Sequence, residues 1–526
     1  VRPILILALS AAVPLGAAMA NPAPASPATP APAAAAPLPL AQSAPLTGFA
    51  ARDAALLALA ARLRAVGADG FDPAWYLIPD DALAATDNAA WRSALAAATD
   101  AVLTDLLLGR GRFVGGRPDI RRDVAAHPLA PWREALASGA DPAAIIERAA
   151  LLPPEAAALR AALAEARAVA ARGPFPVIPT EGPGTIEPDS SDAIRIPILR
   201  RRLALEDPAL AELPSSDSAV YDQPLVDAVK RWQAREGFEA DGRIGRITLA
   251  ALNRPAETRV NQLRVNLDMR RGLAAAEAER RIEVNLPHQR LRLMDGNREA
   301  LAMNVVVGRS DRATPLMRVR MTAIQFNPSW GVPERNARDD LLPRFRRDPA
   351  GMQARGFRLY QYVGGERIEI DPTTLDWSSF SRTNFPYYIR QDAGDANALG
   401  RIKFIMPNGE DIYMHDTPDR HLFRRPDRAF SSGCIRLERP MEMLDAALAG
   451  TPGWDRARAQ RVLDSRATAG VTIARSIPVA LLYTTAVVQD GRVSIRQDIY
   501  GHDRSYLRAM EAGDPRQRVA ARNASR

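Results

Sequence analysis

Alanine and leucine, broken at helical spacing by arginine and glutamate, fill the first third of the chain. AALLALAARLRAV (54–66) and PEAAALRAALAEARAVAA (154–171) repeat apolar residues three and four positions apart, as a helix with one buried stripe requires. The spacing predicts a helical domain over 46–175. A second, compact helical module is expected at 192–254. There Leu225, Val229 and Trp232 share one helical face of PLVDAVKRWQAREG, and Gly237 stands where a left-handed cap closes a helix. A turn, EADGRIG (239–245), leads into ITLAALN. From about 280 the period falls to two. RIEVNLP, RLRLM, ALAMNVVVG, MTAIQFN, RIKFIMP and DIYMH are short β-rich runs, with a turn at Asp295-Gly296. ARSIPVALLYTTAVV and RVSIRQDIY close a mostly β domain over 280–505. NARDDLLPRFRRDPAGMQARGF (336–357) reads as helix and interrupts the strands, so an inserted lid is expected at about 336–395.

The segments between these regions are of another kind. NPAPASPATPAPAAAAPLPLAQSAP (21–45) is Pro/Ala low complexity and PFPVIPTEGPGTIEPDSS (174–191) is rich in Pro and Gly, so both read as linkers. The arginine-rich end, 506–526, reads as a disordered tail. At the start, Arg2 precedes ILILALSAAV (4–13), and Ala18-Met19-Ala20 fits a small-x-small cleavage site. That is the form of a secretory signal peptide, 1–20, cleaved near Ala20. The apolar run is too short for a transmembrane anchor, which needs about twenty residues.

Composition adds less. A hydrophobic fraction of 47% is globular, and 526 residues are too many for one core. The net charge of +8 rests on arginine, since Lys230 and Lys403 are the only lysines. A basic surface suits nucleic acid, an anionic membrane or an acidic polymer. Export, as expected from the first residues, argues against nucleic acid.

The chemistry concentrates at FSSGCIR (430–436), which holds the only cysteine, Cys434. A lone cysteine is ordinarily a small buried hydrophobe. In an exported chain it is also a candidate reactive thiol. Of His127, His288, His415, His421 and His502, only His415 and His421 precede it closely. An imidazole can take the thiol's proton and lower its pKa. His415 follows a β-rich run that would fix it, whereas His421 lies in the polar loop DRHLFRRPDR, so His415 is the expected base. Gly433 leaves the approach to the sulfur open, and backbone N–H groups near Gly433 and Cys434 suit an oxyanion. Other chemistries lack their motifs: Asp227 and Gly400 stand three before the lysines, so S-x-x-K is absent. No His precedes a Glu, and no Gly precedes a Lys. No metal site and no cofactor are expected.

Two stretches resemble known families. Residues Ala228, Val229, Trp232, Gln233, Gly237, Asp241, Gly242, Ile244, Gly245, Thr248, Ala251 and Leu252 are similar to the peptidoglycan-binding module, with Trp232 in place of the usual Phe. YMHDTP (413–418) followed by FSSGCIRLE (430–438) resembles the signature of the YkuD-type L,D-transpeptidases. GRSDRATP (308–315), FNPSWGVP (326–333), NALGRIKFIMPN (397–408) and DRHLFRRPDRAFSSGCIRLERP (419–440) extend it to the large periplasmic subclass. The implied architecture is a multidomain α+β protein: a helical scaffold domain, a small helical peptidoglycan-binding module, and a mostly β catalytic domain, a YkuD-like β-sandwich with an inserted lid. The resemblance implies Cys434 as nucleophile, His415 as base, the Gly433–Cys434 backbone as oxyanion site, and Arg436 as a loop brace or carboxylate partner. Ser432, Tyr413 and Trp330 are the further pocket residues. Ser432 stands where many small members have His. The implied reaction forms a Cys434 thioester with a tetrapeptide stem of peptidoglycan and passes it to a stem-peptide amine, giving 3→3 cross-links in the periplasm. The same thioester also serves hydrolysis, D-amino-acid exchange or protein attachment. A non-catalytic wall-binding protein is the alternative of another class.

Overall fold

The computed structural model describes residues 45–513 except positions 183, 215, 277 and 490. The expected signal peptide, all but the last residue of the Pro/Ala linker, and the tail beyond 513 lie outside the described residues. Among the described residues no helix is long and apolar enough to cross a membrane.

Helices Asp53–Arg64, Asn88–Leu108, Pro142–Leu151 and Ala156–Ala170 form the N-terminal helical layer. Their apolar stripes face inward: Leu56, Leu59 and Leu63 from the first, Leu159 and Leu163 from the last. Asp141 starts one of them by accepting from the N–H groups of Ala143 and Ala144, which would otherwise lack partners.

This layer is completed from far along the chain. Leu263 and Leu267, on helix Ala256–Met269, pack with Leu159 and Leu163, and Ala486 and Ile495 join the same cluster. The expectation of a disordered tail from 506 fails over the described part, because His502–Ala512 is a helix with Tyr506 and Met510 buried. Its anchor is polar. Asp268, fully buried, accepts from the Tyr506 hydroxyl at 2.7 Å and from the backbone N–H of Arg110 and Gly111 at 2.8 Å. Arg271 stands 3.2 Å from it, equally buried.

In the helical module, Gln223–Glu236 buries Leu225, Val226, Val229 and Trp232. Gly237 ends it at φ +79°, a left-handed cap that glycine adopts without a Cβ penalty. Gln233 ties the following turn, accepting from Gly242 N–H at 2.8 Å and donating to Arg243 O at 2.9 Å. The Pro/Gly-rich stretch before the module is more than a spacer. Ile178 and Ile186 lie in the module's core, and Ile186 bridges Ile244 through backbone hydrogen bonds in both directions. Proline and glycine signalled irregular backbone there, but two isoleucines were enough to dock it.

Among the described residues the β region has fifteen strands: β1 (Arg280–Asn285), β2 (Arg290–Asp295), β3 (Arg298–Gly308), β4 (Met317–Phe326), β5 (Trp330–Gly331), β6 (Phe357–Val363), β7 (Glu366–Ile370), β8 (Tyr388–Gln391), β9 (Ile402–Ile405), β10 (Met414–His415), β11 (Ala429–Ser431), β12 (Ile435–Leu437), β13 (Ala469–Leu482), β14 (Ala486–Gln489) and β15 (Arg492–Ile495). Nine form one sheet in the order β11-β3-β12-β10-β9-β4-β13-β1-β2, and β2 also pairs with β3, so the sheet folds back and closes on itself. Alternation does the work inside it: Ile282 and Val284 of β1 and Leu291 and Leu293 of β2 are buried while their neighbours face outward. Each such side chain contributes about 1.5–3 kcal/mol by leaving water.

Between β4 and β9 the chain leaves this sheet and builds another, β5-β8-β6-β7. Short helices Leu342–Arg347 and Pro349–Ala354 cover it, with Phe345 stacked on Trp377 at 4.7 Å in a separate apolar cluster. The hairpin β14–β15 pairs only with itself and packs on the helical layer. The closed sheet thus ends with β13, short of the boundary expected at 505.

Replacing Asp268 by Ala leaves Arg271 buried without its charge partner. We expect a loss of about 3–5 kcal/mol, read as a lowered midpoint of the first urea unfolding transition. An unchanged midpoint would mean the polar junction contributes nothing to stability.

Candidate active site

Three short strands make the site. β10 runs parallel to β12, with Met414 opposite Ile435 and His415 opposite Arg436. On its other side β10 is antiparallel to β9, with Met414 opposite Phe404 and His415 opposite Lys403. Side chains alternate across a sheet. Phe404, Met414 and Ile435 therefore share the apolar face, all fully buried. Lys403, His415 and Arg436 share the other, together with Tyr413 and Cys434 one step along. That face floors a cleft of about 1070 Å³, lined by all five and roofed by Trp330, Gly331 and Tyr388 from the second sheet.

The loop that carries Cys434 is held from three directions. Ser431 is buried; its hydroxyl donates to Cys434 O at 2.5 Å and accepts from Gly433 N–H at 3.1 Å. Thr314 donates through Oγ1 to Gly433 O at 2.7 Å. Gly433 itself has φ +123°, and a Cβ there would stand 3.2 Å from Ile412 Cδ1, so the position calls for glycine. Arg312 donates to Ser432 Oγ at 3.0 Å. The same buried guanidinium pairs with Asp339 at 2.9 Å and with Asp340, both on the π-helical segment Ala337–Leu341 of the inserted region. One arginine thus joins the loop before Cys434 to the roof of the cleft.

His415 is buried, and its Nδ1–H donates to Asp416 O at 2.5 Å. A carbonyl only accepts, so the neutral ring keeps its lone pair on Nε2. Asp416 is in turn fixed by Arg420, by Thr417 N–H at 2.7 Å and by Arg401 N–H at 2.9 Å. Burial, then the Arg436 and Lys403 charges, push His415 down to about 3, against the pull of the Asp416 and Leu399 backbone.

Cys434 is half-buried, and its thiol faces the Asp411 carbonyl at 3.8 Å. Burial raises it above the ordinary thiol value; hydrogen bonding from the Tyr413 backbone and hydroxyl, and the Lys403 and Arg436 charges, oppose this. The thiol expected to be acidified by His415 is thus raised instead. Desolvation thus disfavours the charged forms of both groups.

The other expected residues divide. Tyr413 carries Lys403 Nζ 3.9 Å from its ring centroid and lies 5.6 Å from the His415 ring. Trp330 faces the Tyr413 hydroxyl. Arg436 donates to Asp419 at 2.8 Å. Ser432 is exposed at the rim. The Gly433 N–H is directed to Ser431 Oγ, and the residue shapes the loop. His421 is exposed on the 3-10 turn Arg420–Arg424 and does not line the cleft. Sequence reasoning passed over Lys403, Arg312, Thr314 and Asp416. Lys403 alone carried a signal, being one of two lysines in an arginine-rich chain. Among the described residues no cluster of three or more His, Cys, Asp or Glu is arranged to hold a metal.

A closed β sheet with a Cys/His cleft under an inserted roof defines the class. Residues 279–454 match the family model of the L,D-transpeptidase catalytic domain, YkuD, and residues 204–252 that of the "Putative peptidoglycan binding domain". The resemblance read from the sequence therefore stands for both regions. A Haemophilus influenzae protein described as a "Putative L,D-transpeptidase" is 39% identical over 223 residues, 42% of this chain and 44% of its own length. The chain thus spans less than half of that curated relative. Among solved structures, an L,D-transpeptidase from Mycobacterium smegmatis aligns at 13% identity and TM-score 0.19, over 39% of this chain and 58% of its own. One from Xylanimonas cellulosilytica aligns at 12% and 0.17, over 58% and 100%. At these TM-scores the two alignments add nothing to the assignment.

Because Cys434 is the sole cysteine, alkylation by iodoacetamide reports on it alone. With the thiol raised by burial, the rate should still be climbing with pH well beyond a free thiol's ordinary pKa of about 8.5. A plateau reached below pH 7 would instead require a preformed thiolate–imidazolium pair.

Proposed function

We propose that the chain is a cysteine-dependent L,D-transpeptidase that joins peptidoglycan stem peptides by 3→3 cross-links. The observation that carries this is the shared cleft face of Cys434 and His415, with Nδ1 of the histidine committed to a carbonyl and Nε2 left as acceptor. Cys434 Sγ attacks the carbonyl carbon linking the third stem residue to a terminal D-Ala. As the S–C bond forms, the thiol proton passes to His415 Nε2. The Cys434 backbone N–H supports the oxyanion. The intermediate collapses, the C–N bond breaks, and D-Ala leaves with the proton from His415, giving a thioester. A side-chain amine of a neighbouring stem then attacks the thioester, gives its proton to His415, and forms the new amide. The sulfur departs and regains that proton.

A neutral pair suits this route. His415, held down to about 3, is unprotonated at neutral pH and free to accept. Lys403 and Arg436, which depress it, also favour negative charge on the sulfur as the proton leaves. Trp330 and Tyr413 serve as pocket walls, and Ser432 and Arg436 hold the rim. We assign the inserted region 336–395 as a substrate-covering lid and the module at 192–254 to wall engagement. Export to the periplasm, with a chain starting near Asn21, fits a peptidoglycan substrate, and N-terminal sequencing of the secreted protein tests it. Hydrolysis, D-amino-acid exchange and protein attachment share the thioester. Incubation with tetrapeptide muropeptides separates these by product, and wild type equal to Cys434→Ala would leave only wall binding.

Acylation gives the sharper test. A carbapenem should add one adduct to the intact protein, absent in Cys434→Ser. His415→Ala should slow acylation by at least about a hundredfold, the low end for a lost general base. His421→Ala should act mildly. A severe loss in His421→Ala beside a near-normal His415→Ala would overturn the assignment of the base.

A further inference from the structure

Several guanidiniums of the inserted region have no carboxylate partner among the described residues, and three of them line one hollow. Arg344 and Arg347 stand three apart on helix Leu342–Arg347, and Arg355 follows helix Pro349–Ala354. All three are exposed, and among the described residues none has an acidic partner. Neighbouring Arg346 is different, since it donates to the carbonyls of Trp377 and Phe380.

The three arginines line a hollow of about 410 Å³ with Asp348, Gly351 and Met352. Asp348 is occupied, accepting from Gly351 N–H at 2.8 Å as a helix cap. Arg344 and Arg355 also line a second hollow, of about 310 Å³, with Arg309, Asp340, Asp419 and Arg436. The carboxylates there are likewise taken: Asp340 by Arg312 and Arg309, Asp419 by Arg436. This second hollow shares Trp330, Ser432 and Arg436 with the cleft that holds Cys434. A net-basic track, Arg344, Arg347 and Arg355 against Asp348 and then Arg309 and Arg436 against Asp340 and Asp419, thus runs from the inserted region to the rim of the site.

Like charges held together without counterions repel, and a fixed guanidinium presents donors in a fork that matches a carboxylate. We infer that the Arg344–Arg347–Arg355 track is a carboxylate-binding subsite that receives the free carboxylates of a peptidoglycan stem peptide and leads it to Cys434. This rests on the transpeptidase reading for the identity of the peptide, but not for the chemistry of the track.

The test uses the full chain carrying Cys434→Ala, so that binding is measured without turnover. A tetrapeptide muropeptide and its carboxyl-amidated form are titrated by calorimetry against this protein and against the same protein with Arg344→Gln, Arg347→Gln and Arg355→Gln. The expected result is a Kd weaker by roughly tenfold for the acidic peptide in the triple variant, as charge-assisted contacts are lost. The amidated peptide should bind weakly to both. Replacement by three lysines should restore part of the affinity and its salt dependence. If the triple variant fails to fold, as judged by thermal unfolding, the three single Gln variants carry the comparison. Equal affinity in all variants, or no binding by any, overturns the subsite. Turnover is scored separately in chains with Cys434 intact. Arginine-dependent binding without thioester formation would sink the transpeptidase reading and leave the subsite standing; cross-linking with no arginine dependence would do the reverse.

Discussion

The register of β9, β10 and β12 is the constraint on which the site depends. Strand β10 is only two residues long, yet its partners on both sides fix which of those residues faces the core. Met414 is clamped between Phe404 and Ile435 on the dry face, and that alone turns His415 towards the cleft. A slip of one residue would exchange the faces, placing imidazole, lysine and arginine in hydrocarbon. The burial of three apolar side chains, each worth about 1.5–3 kcal/mol, stands against it. The geometry of the cleft is a by-product of hydrophobic pairing.

The same register concentrates charge. Lys403 and Arg436 flank His415 from opposite strands, and no carboxylate side chain stands opposite it in the register to offset them. Their influence on the two reacting groups has opposite value. They disfavour the charged form of the imidazole and favour that of the sulfur. Burial adds to the first and opposes the second. On balance the thiol is raised, which also disfavours adventitious oxidation of a lone cysteine, since the thiolate is the reactive form.

What the sequence made legible was what short-range pattern encodes. The alternation in RIEVNLP and RLRLM, the helical stripe through Leu225, Val229 and Trp232, and the Cys434 motif all lie within a few residues of one another. The misses have another origin. Arg312 meets Ser432 and Asp340 across long stretches of chain, and Lys403 meets His415 only through strand pairing. The Gly433 N–H meets a hydroxyl two residues back, a detail that motif matching does not carry. The stretch at 174–191 and the segment after β13 were misjudged for one reason: a few apolar side chains, Ile178 and Ile186 in one and Tyr506 and Met510 in the other, dock irregular or terminal backbone that composition alone marks as loose.

The helical layer at the front of the chain is finished by its far end. Arg110 donates to Met510 O, and Tyr506 reaches Asp268, so some of the sequence-longest contacts lie in the domain that is made first. A chain emerging from its N-terminus cannot close this layer until helix His502–Ala512 has arrived. Until then Asp268 and Arg271 must wait with part of their hydrogen bonding to water, while Leu263 and Leu267 already pack on Leu159 and Leu163 and lack only Ala486 and Ile495. The loop to be closed is nearly the whole molecule, and such contacts are the slow ones in folding. The scaffold is therefore the first region synthesised and the last completed, and the closed sheet with its cysteine is enclosed within that bracket.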